Sequence, residues 1–172
     1  MRLIIVLSFV VSQCIVSYQQ SMTRCPDGWV YFRQSCYQFA DEMKFSLTEA
    51  THHCSSRHAH LAKVESKAED LFLQDFAGRL YKHVPDHTFA NSFWLGGTDS
   101  NIEGIWTWYS DDSDLIYTSW PQGHPGPTGD HQDCLILFAP NNYQWYDFEC
   151  EILAHPLCEI ELNVEAAAVV IG

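Results

Sequence analysis

Positive charge is what this sequence has least of. Nine Lys and Arg stand against 22 Asp and Glu, for a formal charge of −13. A nucleic-acid-binding surface needs a basic face to neutralise phosphates, so that class is excluded. Also missing is any apolar run long enough to cross a bilayer. No two cysteines stand two or four residues apart, as a zinc knuckle would need. There is no Gly-x-Ser-x-Gly elbow, no phosphate-cradling glycine loop, no dinucleotide fingerprint and no His-Glu-x-x-His. Nothing here reads as an enzyme.

What is present is apolar and aromatic. Hydrophobic residues make up 47% and aromatics 14%, which is globular material for one domain rather than an acidic disordered tail. The first residues, MRLIIVLSFVVSQCIVS, read as a secretory signal over residues 1–17. Arg2 gives the charged start, Leu3 to Val11 the apolar stretch and Ser17 a small residue before a cut. Its removal takes Cys14 with it. Cys25, Cys36, Cys54, Cys134, Cys150 and Cys158 remain, an even set that reads as three disulfides with fifteen pairings open.

Along the chain, Val30 to Phe32 and Cys36 to Phe39 suggest two short strands. Ser46 and Glu49 form a capping-box pattern before a helix with Leu47, Ala50 and Cys54 on one face. Ser66 and Glu69 repeat the pattern before a second helix, with Leu71, Phe72, Asp75, Phe76 and Leu80 at helical spacing. Leu61 to Val64 suggests a strand between them. Trp94 to Gly97, Ile105 to Tyr109, Leu135 to Phe138 and Gln144 to Phe148 complete an aromatic, strand-rich second half, the last two as a hairpin turning at Asn141-Asn142. Trp106, Trp108 and Trp145 are expected in the core. The fold class is therefore α+β: two helices, small antiparallel sheets and one long irregular loop.

That loop is WPQGHPGPTGDHQDC, residues 120–134. Its prolines and glycines exclude helix or central strand. Trp120 is expected as its packed anchor. Two histidine groups occur, His52, His53, His58 and His60 around the first helix and His124 and His131 in the loop. The first group reads as solvent-exposed. The second, near Asp130, Asp133 and Asp147, has the chemistry of a transition-metal site but no spacing that defines one.

In order, Cys25, Gly28-Trp29, Cys36-Tyr37, Cys54, Trp94-Leu95-Gly96, Glu103-Gly104, Trp106, Trp120, Asp133-Cys134, Trp145, Asp147, Cys150 and Cys158 resemble the C-type lectin domain. The resemblance covers residues 25–160 and leaves 161–172 as a tail. The stretch FWLGGTDSNIEGIWTW with YTSW is most similar to the shell-matrix lectins of molluscs. The resemblance implies the pairing Cys25–Cys36, Cys54–Cys158 and Cys134–Cys150, each bridge contributing about 2–4 kcal/mol.

It also implies a primary calcium site in the long loop, built from oxygens that bind the ion and two sugar hydroxyls together. This sequence departs from that pattern. His124 stands in place of a Glu or Gln, Gly126 in place of an Asn or Asp, Gln132 in place of an acid, and Tyr146 in place of an Asn; Pro125, with its expected cis bond, and Asp147 are kept. An auxiliary calcium site would use Asp99, Glu103 and Asp133, with Pro127 and Gln132 where two further ligands belong. The implied function is extracellular, non-enzymatic recognition of glycans or glycoproteins through His124, Gly126, Gln132, Tyr146 and Asp147, with weak calcium binding at the auxiliary site. Two alternatives accompany it. One is an acidic matrix protein acting on calcium carbonate; the other is a protein-binding domain that no longer binds sugar.

Overall fold

A computed structural model describes residues 24–84, 88–127 and 131–162. The expected signal at 1–17, Cys14, Asp130 and residues 163–172 lie outside the described residues.

The described residues begin with a hairpin, β1 (Val30–Phe32) and β2 (Ser35–Phe39), in which Cys25–Cys36 ties the segment before β1 to β2. Helix α1 (Leu47–Ser55) follows. Its capping box is complete: the Ser46 hydroxyl accepts from Glu49 N–H while Glu49 accepts from Ser46 N–H. Leu47, Ala50 and Cys54 are buried, as their spacing predicts. Strand β3 is only His60–Leu61. Residues 62–64 are buried, and Ala62 N–H still donates to Leu157 O, but the paired residues end at Leu61, so the expected four-residue strand is shorter than the pattern suggested.

Helix α2 (Lys67–Leu80) is capped by Ser66, but the reciprocal arm differs. Glu69 accepts from Glu65 N–H and turns towards the sheet. The expected apolar face is also rotated. Leu71 and Leu80 are 53% and 40% exposed and Asp75 faces solvent. Leu73 and Ala77 form the buried line, with Phe72 and Phe76 packed at its edge.

Strands β4 (Phe93–Thr98), β5 (Thr107–Trp108), β6 (Cys134–Phe138), β7 (Gln144–Phe148) and β8 (His155–Glu161) complete the sheet. The order is β1-β2-β8-β4-β6-β7, with β3 on β8 and β5 on β4. Only β4–β8 is parallel among these pairs. β4 is buried at all six positions. A Cβ at Gly96 would lie 2.9 Å from the Leu61 carbonyl oxygen, so glycine is what lets β4 pack so closely against β3. The expected strand over Ile105–Tyr109 reduces to β5 because Ile105 and Tyr109 are exposed on either side of it.

The three bridges pair as the resemblance implied: Cys25–Cys36, Cys54–Cys158 and Cys134–Cys150. Two cores flank the sheet, one aromatic around Trp108 and Trp145, the other around Trp94 and the Cys54 and Cys134 bridges. Inside the first sits Asp70 of α2, 2% exposed. It accepts from Trp145 Nε1 at 2.8 Å, Gln74 Nε2 at 2.9 Å and the Tyr117 hydroxyl at 3.1 Å. One carboxylate thereby joins α2, β7 and the approach to the long loop, and leaves no indole N–H of Trp145 unsatisfied.

Candidate functional site

The long excursion between β4 and β6 is held at three places. Near its start, Leu115 N–H donates to Trp106 O and Trp108 N–H to Ser113 O, closing a narrow turn on the β5 side. At its middle, Trp120 packs edge-on against Trp106 (4.8 Å) and Trp145 (5.5 Å). Trp106 is itself half-buried, so of the three expected core tryptophans only Trp108 and Trp145 are fully enclosed. At its end, Asp133 O accepts from Thr98 Oγ1 at 2.7 Å and from Asp99 N–H at 3.2 Å, and Cys134 is bridged to Cys150. The His124–Pro125 peptide is cis, as expected.

The five expected sugar contacts do not play equal parts. Asp147 on β7 is 2% exposed. Its Oδ1 accepts from His124 Nδ1 and its Oδ2 from Gly126 N–H. Both oxygens are thus spent on the loop itself. Tyr146, on the same strand, lies with its ring 4.0 Å from His124 and 4.7 Å from Phe138, and its hydroxyl accepts from Asn141 Nδ2. His124, Gly126, Gln132 and Tyr146 keep partial exposure. Sequence reading missed Asn141 and Phe138, the residues that fix the Tyr146 ring. The available signal was the hairpin itself, which puts Phe138 and Asn141 at its turn and brings Tyr146 back opposite Ile136.

At the auxiliary position Asp99 is 4% exposed. Its Oδ2 accepts from Gly104 N–H at 2.9 Å, while its Oδ1 is buried without a hydrogen-bond partner. Burial pushes its carboxyl above the ordinary range and nearby Glu103 and Asp133 add to that, against the Gly104 hydrogen bond. Glu103 is exposed and Asp133 half-buried. Among the described residues no group of three or more His, Cys, Asp and Glu converges closely enough to hold a metal ion. That includes the histidines of α1 and its C-terminal turn. His52 and His58 face solvent as expected, whereas His53 packs its ring 5.3 Å from Phe45.

For the calcium that the resemblance implied, the two positions differ in fit. The primary position does not fit: Gly126 has no side-chain oxygen, and Asp147 is buried with each oxygen already accepting from the loop. The auxiliary position offers one unpartnered carboxylate oxygen beside two further acids, a partial fit.

Residues 43–160 match the family model described as the lectin C-type domain. Perlucin of Haliotis laevigata is 38% identical over 138 residues, covering 80% of this chain and 83% of that protein. Ladderlectin of Oncorhynchus mykiss is 33% identical over 147 residues, covering 85% and 72%. Among solved structures, the mouse scavenger receptor C-type lectin carbohydrate-recognition domain superposes with a TM-score of 0.66 at 29% identity, covering 81% of this chain and 98% of that domain. No helix among the described residues is long and apolar enough to cross a membrane.

Proposed function

The chain belongs to the C-type lectin family, and on that premise we propose that it is a secreted glycan-recognition protein whose long loop works without the primary calcium ion. The observation that carries this reading is the Asp147 carboxylate. It is held by His124 and Gly126 N–H, which supports a loop closed by protein donors at the position the family resemblance gives to a cation. Asp147 is then a positioning residue. Sugar contact falls to the partly exposed His124, Gln132 and the Tyr146 ring, through hydrogen bonds and stacking on a pyranose face. Such contacts are few, so monovalent affinity is low and binding gains from multivalent display. Calcium, in this reading, binds weakly through Asp99, with Glu103 and Asp133 nearby, and steadies the start of the loop rather than touching sugar.

The test is binding to immobilised mannose and galactose, with and without chelator, for the native domain and for Tyr146→Ala. Weak binding that survives chelator and is lost in Tyr146→Ala supports the proposal. Tight binding abolished by chelator sinks it.

A second reading rests on the acidic surplus of the chain. There the domain acts on calcium carbonate surfaces, and glycan binding is secondary. A carbonate precipitation assay separates the two, since a sugar-binding domain without mineral activity leaves crystal growth unchanged.

A further inference from the structure

The β1–β2 hairpin, the start of α2 and the end of β8 enclose an open cleft of about 960 Å³ that shares no residue with the long loop. Its floor has a hydrogen-counting problem. The Tyr37 hydroxyl, on a residue 1% exposed, meets two carboxyl groups. One is Glu69 in the first turn of α2; the other is Glu159 Oε1 on β8, at 3.1 Å. The second oxygen of each is already an acceptor. Glu159 Oε2 takes Lys63 N–H at 3.0 Å and Glu69 Oε2 takes Glu65 N–H at 2.9 Å.

A phenol carries one hydrogen, and an ionised carboxylate carries none. With both acids ionised, one of the two Tyr37 contacts would set oxygen lone pairs against each other at hydrogen-bonding distance. The Ser35 hydroxyl also reaches Glu159 and Tyr37, but its one hydrogen cannot lie between those two oxygens. The nearby cations are engaged elsewhere, and His60, opposite Glu159 in the β3–β8 pairing, acts against proton retention there. Lys63 Nζ is held by Asp111 at 2.8 Å, His60 Nε2 faces Glu161 at 3.6 Å, and Arg33 lies over the Phe32 ring at 5.4 Å. Glu65 adds only negative charge.

We propose that Glu159, 3% exposed, keeps its proton at neutral pH and donates it to Tyr37, which donates in turn to Glu69, so that a proton-dependent relay fastens the start of α2 to β2 and β8. In that state both Tyr37 contacts and both backbone N–H contacts to Glu159 and Glu69 are hydrogen bonds. Burial, the largest influence on Glu159, acts in the required direction; it raises Glu69 too, but Glu159 is the more fully enclosed of the two. Because the folded state holds the proton more tightly than the unfolded chain, the stabilisation is complete below the ordinary Glu value of about 4.3. It is lost as pH rises through the raised folded value. Buried His155 and half-buried His53 titrate with the opposite sense, since burial lowers both. The measurement must therefore be a difference between variants.

The experiment follows denaturant unfolding from about pH 5 to about pH 9 for the native protein, Glu159→Gln and Glu69→Gln, together with the infrared carbonyl stretch of protonated carboxyl groups. Gln at 159 can accept from Lys63 N–H and donate to Tyr37 at any pH. The expected result is a protonated-carboxyl band in the native protein near neutral pH, absent in Glu159→Gln and kept in Glu69→Gln. With it goes a stability difference that moves in favour of Glu159→Gln as pH rises. No such band in the native protein, its loss in Glu69→Gln with retention in Glu159→Gln, or parallel pH curves for native protein and Glu159→Gln would each overturn the proposal. Should Glu159→Gln fail to fold, retention of the band in both Glu69→Gln and Asp99→Asn supports the proposal and its loss in either overturns it.

Discussion

Asp147 and Asp99 are both buried aspartates that family resemblance assigns to calcium, and the fold treats them in opposite ways. Asp147 has both oxygens satisfied by the loop it was expected to share with a ligand. Asp99 has one oxygen satisfied and one left bare. The difference teaches that keeping a ligand residue is not keeping a site. A buried carboxylate must find donors, and if the chain supplies them the cation has nothing to replace.

The largest effect that would break this comparison comes from Asp147→Ala. It strands the His124 ring nitrogen and Gly126 N–H together, and should cost about 3 kcal/mol in urea denaturation. The calcium response should stay as it was. If Asp147→Ala abolished that response instead, the assignment of the two aspartates would be reversed.

A middle-sized effect sharpens it. With a Kd of about 1 mM, the weak end for extracellular modules, about 10 mM calcium should stabilise the native domain by about 1.4 kcal/mol. Asp99→Asn should remove that gain. Thermal melts with and without calcium read it directly, and an equal shift in both proteins would refute the role given to Asp99.

The smallest effect is in pH. The Asp99 carboxyl is raised on folding, so without calcium its contribution is fully present below the ordinary Asp value of about 3.9 and lost as pH rises through its folded value. Relative to Asp99→Asn, the native domain should weaken as pH rises through that window. Bound calcium should erase the difference, because the cation favours the ionised form. Paired denaturation curves across the window check both statements.

The sequence made some of this legible because some of it is local. Ser46 with Glu49 is a four-residue pattern, and the helix cap it describes forms from those residues alone. The order of cysteines and tryptophans carried the fold through resemblance. The helix α2 face was misread for a tertiary reason. Leu71 and Leu80 fit a helical stripe as well as Leu73 and Ala77 do, and the sheet selects the second pair. Asp70 falls within that second stripe, and a charged residue there marks either an error in the stripe or a buried polar hub. Here it is the hub, with Trp145, Tyr117 and Gln74 as donors. The inward turn of Asp147 was hidden for a similar reason. Whether His124 meets a sugar or an aspartate depends on a contact across 23 residues of chain.

The pairing of β2 with β8 has a consequence for how this chain must be made. Tyr37 waits for Glu159, 122 residues further on, before its strand has a neighbour on that side. Synthesis runs from the N-terminus at about 5–20 residues per second, so several seconds separate the two strands' emergence. Through that interval β2 presents a bare row of backbone donors and acceptors, and the half-cores of α1 and β3 have no β8 to close over them. The nascent domain cannot mature in stages from its first residue onward. It is completed only when β8 emerges, and a truncation that removes β8 should yield an aggregating chain rather than a smaller folded one.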